Sequence, residues 1–256
     1  MKNFLNIAPK ILKEIRKKRP VKSKRFHWKN LLYYFLYFAV GFVLITAITF
    51  AWFAKDLPTP SKIANRKATE STKIYDRTGE ILLYETGDQK RTIVKSDQIS
   101  QYLKDATVAT EDEGFYKHNG FDTKALLRAV WYKATRKTNR MTGASTITQQ
   151  YVKNALLSSD RSFTRKIKEL ILSIELEFMY NKDEILTMYL NEIPYGNSNA
   201  GAEAASRMYY GKTSKDLTLA QAATLAAIPQ SPTYFSPYGT HTDKLISRRN
   251  YVLDRM

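Results

Sequence analysis

Arg165-Lys166-Ile167-Lys168-Glu169-Leu170-Ile171-Leu172-Ser173-Ile174-Glu175-Leu176-Glu177-Phe178 is the stretch that decides the fold class. Ile167, Leu170, Ile171, Ile174 and Phe178 follow the i, i+3, i+4, i+7 spacing of a helix and make one apolar stripe. Arg165, Glu169, Leu172 and Leu176 make a second stripe on the opposite side. A helix apolar on two faces is central in its domain, so Glu169 is expected where its stripe becomes buried. Its carboxylate then needs a cation or a metal beside it, or it would be neutralised. Ser162 stands where a cap would open this helix.

Working outward, a helix is expected from Ser145 to about Leu157, with Ile147, Tyr151 and Ala155 on one face. Gln149 and Lys153 share another face with Gln150 beside them, which reads as a solvated surface or as the lining of a cleft. Further toward the N-terminus lies Glu111-Asp112-Glu113-Gly114-Phe115-Tyr116-Lys117-His118-Asn119-Gly120. Asp122 marks another helix start, and Thr218-Leu-Ala-Gln221 has capping-box spacing. Carboxylates that flank a polar helix read as a sugar-processing site. The lysines and arginines around Glu169 add a place for an anionic leaving group.

The remainder of the 256 residues carries a different signal: net charge +17 and no cysteine, hence no disulfide framework and no thiolate chemistry. Residues 1–30 hold eleven Lys/Arg and one acid, Glu14. Leu31 to Ala54 then runs for 24 residues without a charge, about 36 Å as a helix, against a hydrocarbon core of roughly 30 Å. Trp28, Tyr33 and Tyr34 at one end and Trp52 and Phe53 at the other suit the two interfaces. No Ala-x-Ala ends the run, which argues against a cleaved signal peptide. The positive-inside rule then places the tail in the cytoplasm and residues 55–256 outside it. Basic residues clustered before a spanning helix also exclude a nucleic-acid binder.

The expected organisation is a basic tail (1–30), a single transmembrane helix (31–54), a linker and β-hairpin region (55–97) and a mainly α domain (98–256). Asp56-Leu-Pro-Thr-Pro-Ser is a stiff linker, and Lys73 to Tyr84 reads as a hairpin turning through Asp76-Arg-Thr-Gly79. Arg91-Thr-Ile-Val94 reads as a further short strand. In Phe121 to Met141, Leu126, Leu127, Val130, Trp131 and Tyr132 are interleaved with Arg128, Lys133, Arg136, Lys137 and Arg140, a mixture suited to a membrane surface. The Lys137-Thr-Asn-Arg-Met stretch is expected to be poorly ordered without ligand.

Five blocks in order carry a resemblance: Glu111-Asp-x-x-Phe115-x-x-His118-x-Gly120; Gly143-Ala-Ser-Thr-Ile-Thr-Gln-Gln-x-x-Lys153-Asn154; Arg165-Lys-x-x-Glu169; Lys182-x-x-Ile185-Leu-x-x-Tyr189-Leu-Asn191 through Gly196; and Ala204 through Tyr209-Tyr-Gly-Lys212 to Pro232. Together they resemble the peptidoglycan glycosyltransferases of family 51, the transglycosylase module of bifunctional penicillin-binding proteins and of monofunctional enzymes. The resemblance implies a lysozyme-like, mainly α glycosyltransferase domain that uses lipid II and a lipid-linked glycan at a bacterial membrane. It implies Glu111 as general base and Glu169 as the second carboxylate. Lys153 and Arg161 match positions that contact the diphosphate, and Ser145, Gln149, Gln150, Arg165 and Asn191 are assigned to the substrate cleft. His118 is expected to be structural. No cofactor is required; a divalent cation, Mg or Mn, on the diphosphate is compatible with Glu169, though the sequence has no compact ligand cluster. Cell-wall synthesis or division proteins are further expected partners.

Two rival readings remain open at this stage. A lysozyme-like muramidase or lytic transglycosylase shares a helical fold and a catalytic glutamate, and a non-catalytic membrane scaffold shares the anchor. No Ser-x-x-Lys transpeptidase motif follows the blocks, so the chain fits both a monofunctional enzyme and a piece of a bifunctional one.

Overall fold

The structure, a computed structural model, describes residues 28–54, 70–135, 145–157 and 162–256. The basic tail, the proline-containing linker, Arg161 and the 137–141 stretch lie outside the described residues. The chain divides into two compact units, Met1–Thr49 and Phe50–Met256.

Helix α1, Trp28–Ala54, contains the apolar run Leu31–Trp52, with mean hydropathy 2.2, long and apolar enough to cross a membrane. Thr46 and Thr49 donate their hydroxyls to the carbonyls of Phe42 and Ile45, both at 2.8 Å, so these polar side chains are satisfied within the helix.

The second unit opens with an antiparallel hairpin of β1 (Thr72–Tyr75) and β2 (Leu82–Thr86). Its turn is built by Asp76, whose carboxylate accepts from the Glu80 and Ile81 amides, both at 3.1 Å, with Gly79 at φ +77. The next strand, β3, is only Lys90–Arg91, shorter than the four residues expected, and runs parallel to β5 (Asn199–Ala200). Arg91 forms a buried pair with Glu192 at 2.8 Å, and this pins β3 to the end of helix α6 (Lys182–Glu192).

Among the described residues seven further α-helices build the domain: α2 (Gln101–Glu111), α3 (Thr123–Thr135), α4 (Ile147–Ala155), α5 (Phe163–Met179), α7 (Ala202–Tyr210), α8 (Leu219–Ala227) and α9 (Thr242–Arg255). Between α6 and α7, β4 (Pro194–Gly196) and β5 (Asn199–Ala200) pair through a turn in which both Asn197 (φ 49) and Ser198 (φ 60) are left-handed. Helix α2 packs on α8 and α9, while α4 packs on α5 and α6. Leu103, Ile147, Val152, Leu172, Leu176, Ile185, Leu190, Leu225 and Val252 meet in one core.

Capping sets where these helices begin. Ser162 accepts from the Arg165 amide, and Thr218 forms the expected box with Gln221. Helix α4 starts one residue later than expected, because Thr146 rather than Ser145 is the cap, in a reciprocal box with Gln149. Helix α5 also departs from expectation. Leu172 and Leu176 are fully buried, whereas on the other stripe only Ile171 is buried, Ile167, Leu170 and Ile174 are half-buried and Phe178 is 85% exposed. The more deeply buried stripe is the one that carries Glu169.

Candidate active site

Glu111 is the last residue of α2, and its position follows from how the next ten residues are tied down. Asp112 is buried; its Oδ2 accepts from the Ile147 amide at 3.0 Å and its two oxygens lie 2.9 and 3.0 Å from His118 Nε2. The Thr146 hydroxyl donates to the Gly120 carbonyl at 2.7 Å. Gly120 itself has φ +83, and a Cβ there would stand 2.8 Å from the Ser173 carbonyl oxygen of α5. On the far side, Lys182 Nζ reaches the His118 carbonyl and Glu177, both at 2.6 Å, and lies 4.5 Å above the Phe115 ring. The loop is therefore clamped between α4, α5 and α6.

That clamping sets Glu111 against α4 and α9. Gln150 Nε2 donates to Glu111 Oε2 at 2.9 Å, and Arg248 Nη2 lies 3.7 Å from Oε1. The two charged side chains are 12% and 16% exposed. Burial pushes the Glu111 carboxyl above the usual carboxylate range and neighbouring Asp112 adds to the rise, while the Gln150 hydrogen bond and Arg248 oppose it. Burial in turn draws the Arg248 guanidinium below its ordinary value. Arg248 is held by donating from Nε to the Ala227 carbonyl at 3.1 Å and by lying 5.6 Å over the Phe235 ring. Behind Gln150, the Tyr189 hydroxyl donates to its Oε1 at 3.3 Å.

Glu169 is 2% exposed, as its stripe requires, and its cation is Lys166, 2.7 Å away. Lys166 also donates to Ser145 at 3.0 Å. A cleft of about 490 Å³ has Glu111, Asp112, Asp122, Arg128, Ser145 and Arg255 among its walls. Ser145 thus joins the surroundings of Glu111 to those of Glu169, which does not itself line the cleft. Among the described residues no three His, Cys, Asp or Glu side chains are grouped to hold a metal ion.

The remaining sequence-derived candidates fall into different settings. Lys153 is exposed in the last turn of α4, and Arg165 is half-buried in the first turn of α5. Gln149, although a polar residue of the same helix, is buried with its carbonyl oxygen accepting from the Thr146 amide at 3.2 Å. Asn191 exchanges both polar atoms with Val94, at 3.0 and 2.9 Å, and gives a further bond to the Thr187 carbonyl at 3.0 Å. The Gln149 side-chain oxygen and both ends of the Asn191 amide are therefore engaged within the protein. On α3, Leu126, Leu127 and Trp131 are all more than half exposed.

Arg248 is the charged neighbour of Glu111 that sequence reasoning missed. Its signal was present: Leu245 and Val252 are buried and stand at i−3 and i+4 from it, so an arginine occupies the apolar face of α9. Lys166, one of the basic residues grouped around Glu169 in the sequence, supplies the cation that its buried carboxylate required.

Residues 78–256 match the family described as Transglycosylase. The chain is similar to penicillin-binding protein 1A of Aquifex aeolicus, 42% identical over 205 residues, covering 79% of this chain and 27% of that protein. To penicillin-binding protein 1A/1B of Bacillus subtilis it is 42% identical over 230 residues, 89% of this chain and 24% of that protein. A crystal structure of penicillin-binding protein 1A from Haemophilus influenzae aligns with TM-score 0.40 at 26% identity, over 75% of this chain and 18% of that one. The chain spans about a quarter of the length of the curated relatives it matches.

Proposed function

Because the chain belongs to the transglycosylase family, we propose that it polymerises lipid II into peptidoglycan glycan strands, anchored in a bacterial membrane by α1 with its N-terminus in the cytoplasm. The acceptor's GlcNAc C4 hydroxyl attacks C1 of the donor's MurNAc, and the C1–O bond to undecaprenyl diphosphate breaks with its electron pair leaving on the diphosphate. The anomeric centre inverts from α to β, and Glu111 takes the hydroxyl proton. A sugar hydroxyl is a weak nucleophile, and a base placed for it contributes roughly 10² to 10⁴ in rate.

The setting of Glu111 carries this reading. Burial raises the proton affinity of the carboxylate above that of an exposed glutamate, which makes it a stronger base. Its direct partners, the Gln150 N–H and the Arg248 guanidinium, both favour the ionised form. A muramidase also uses a raised carboxyl, as an acid that donates to a leaving oxygen, so the two readings separate on the cations for the leaving group and not on Glu111 alone. Diphosphate leaves as a stable anion and needs fixed positive charge instead of an acid. Lys153, Arg161 and the N-terminal amides of α5 supply it in this proposal, with Lys166 and Glu169 ordering the Ser145 side of the cleft. A divalent cation on the diphosphate would add to that charge, but no step here depends on one.

Incubation of the purified chain with lipid II tests the proposal against its rival. Appearance of glycan polymer supports the transferase; release of soluble muropeptides from cell wall, with no polymer from lipid II, refutes it.

A further inference from the structure

Behind the proposed base stands a second layer of polar contacts. Gln150 is held at both ends: Nε2 donates to Glu111 at 2.9 Å, and Oε1 accepts from the Tyr189 hydroxyl at 3.3 Å. A glutamine amide has a donor end and an acceptor end. Turned by half a rotation, Gln150 would present its carbonyl oxygen to Glu111, and two acceptors would oppose each other unless Glu111 carried a proton. The direction of this one amide therefore selects the protonation state of the carboxylate. We propose that Tyr189 is a positioning residue that locks the Gln150 amide with its N–H toward Glu111, holding the carboxylate ready to accept a proton.

A phenol oxygen can also accept, so the lock works through the phenol proton: with the amide turned, that buried O–H would have no acceptor among the described residues. The tyrosine side chain is 1% exposed, packed in the core on α6, and among the described residues its hydroxyl has no partner other than Gln150. Burial, and the neighbouring charge of Glu111, push its phenol well above the ordinary tyrosine value, so it remains a protonated donor across the working range of the enzyme. The Gln150 hydrogen bond pulls the Glu111 carboxyl down against the rise caused by burial. Loosening the amide removes part of that pull, and Glu111 then binds its proton at higher pH.

This inference rests on Glu111 being the base, and the test separates the two. Turnover of labelled lipid II by the full chain in detergent is followed across pH, giving kcat and KM for each variant. Tyr189→Phe keeps the ring and deletes the donor: the acidic limb of kcat should move up by about half to one pH unit, with KM within about twofold and the alkaline side near wild type. Gln150→Met should move the limb in the same direction. Adding Tyr189→Phe to Gln150→Met should move it no further, because the tyrosine acts only through the amide. Fluorotyrosine incorporated at position 189 preserves the fold and strengthens donation, and should shift the limb downward. A pH-independent loss in Tyr189→Phe, additive shifts in the double variant, or a limb unmoved by fluorotyrosine would overturn the proposal. If Glu111→Gln is inactive while those limbs do not move, only the tyrosine lock fails. Retention of activity by Glu111→Gln removes the base assignment itself.

Discussion

Replacing Arg248 with glutamine removes the positive charge that, among the described residues, is paired with the proposed base, while keeping a side chain of similar reach. The guanidinium and the Glu111 carboxylate are 3.7 Å apart. Two unit charges at about that distance interact by roughly 1 kcal/mol in bulk water and roughly 4 kcal/mol at an effective dielectric of 20. Exposures of 16% and 12% place the pair toward the second value, and the separation, longer than a charge-assisted hydrogen bond, draws it back. An intermediate figure of about 2 kcal/mol corresponds to roughly one and a half pKa units. The sign follows from Arg248 favouring the ionised form: without it Glu111 binds a proton at higher pH. A base works only when deprotonated, so the acidic limb of the kcat profile should move up by one to two units, roughly, and activity below the new limb should fall about tenfold or more. Arg248→Lys retains charge and should move the limb less. Loss of the bond to the Ala227 carbonyl affects stability at every pH and is read separately by thermal melting. A loss of activity that is uniform across pH, with the limb in place, would refute the electrostatic role.

Three other perturbations probe the surroundings of the site. Lys153→Ala and Arg161→Ala should each slow polymerisation and weaken binding of diphosphate-bearing lipid more than binding of lipid-free disaccharide; equal effects on both ligands in a binding titration would contradict the assignment. Gly120→Ala places a Cβ 2.8 Å from the Ser173 carbonyl oxygen at φ +83, and should cost about 2–4 kcal/mol in urea unfolding, where a cost below about 1 kcal/mol would show that the loop is not clamped. Lys166→Met leaves the Glu169 charge buried and unpaired and should destabilise by at least about 1 kcal/mol even after allowing for the half-exposed lysine. Adding Glu169→Gln should recover much of that loss, and no recovery would mean that the pair does not interact as described.

Local signals in the sequence were translated faithfully where they are short-range. Ser162 and Thr218 cap helices because a side-chain oxygen three residues ahead of an orphan amide is a contact between near neighbours. The burial of Glu169 was also legible, since the periodicity that places Leu172 and Leu176 in the core places it there too. What helical spacing does not reveal is which of two apolar stripes meets a partner, and Phe178 accordingly proved exposed. Nor does it say how a polar residue spends its hydrogen bonds. Gln149 and Gln150 are adjacent and chemically identical, yet one closes a capping box and the other faces the candidate base. Arg248 lies 137 positions from Glu111, and their meeting depends on α2 and α9 packing side by side.

Glu111→Gln polymerisation of lipid II tests the central claim most directly. The substitution keeps the shape of the side chain and removes its capacity to take a proton, so the protein should fold and bind lipid II as before while polymer formation falls by at least about 10². A variant that folds and retains more than about a tenth of wild-type polymerisation would show that the proton goes elsewhere.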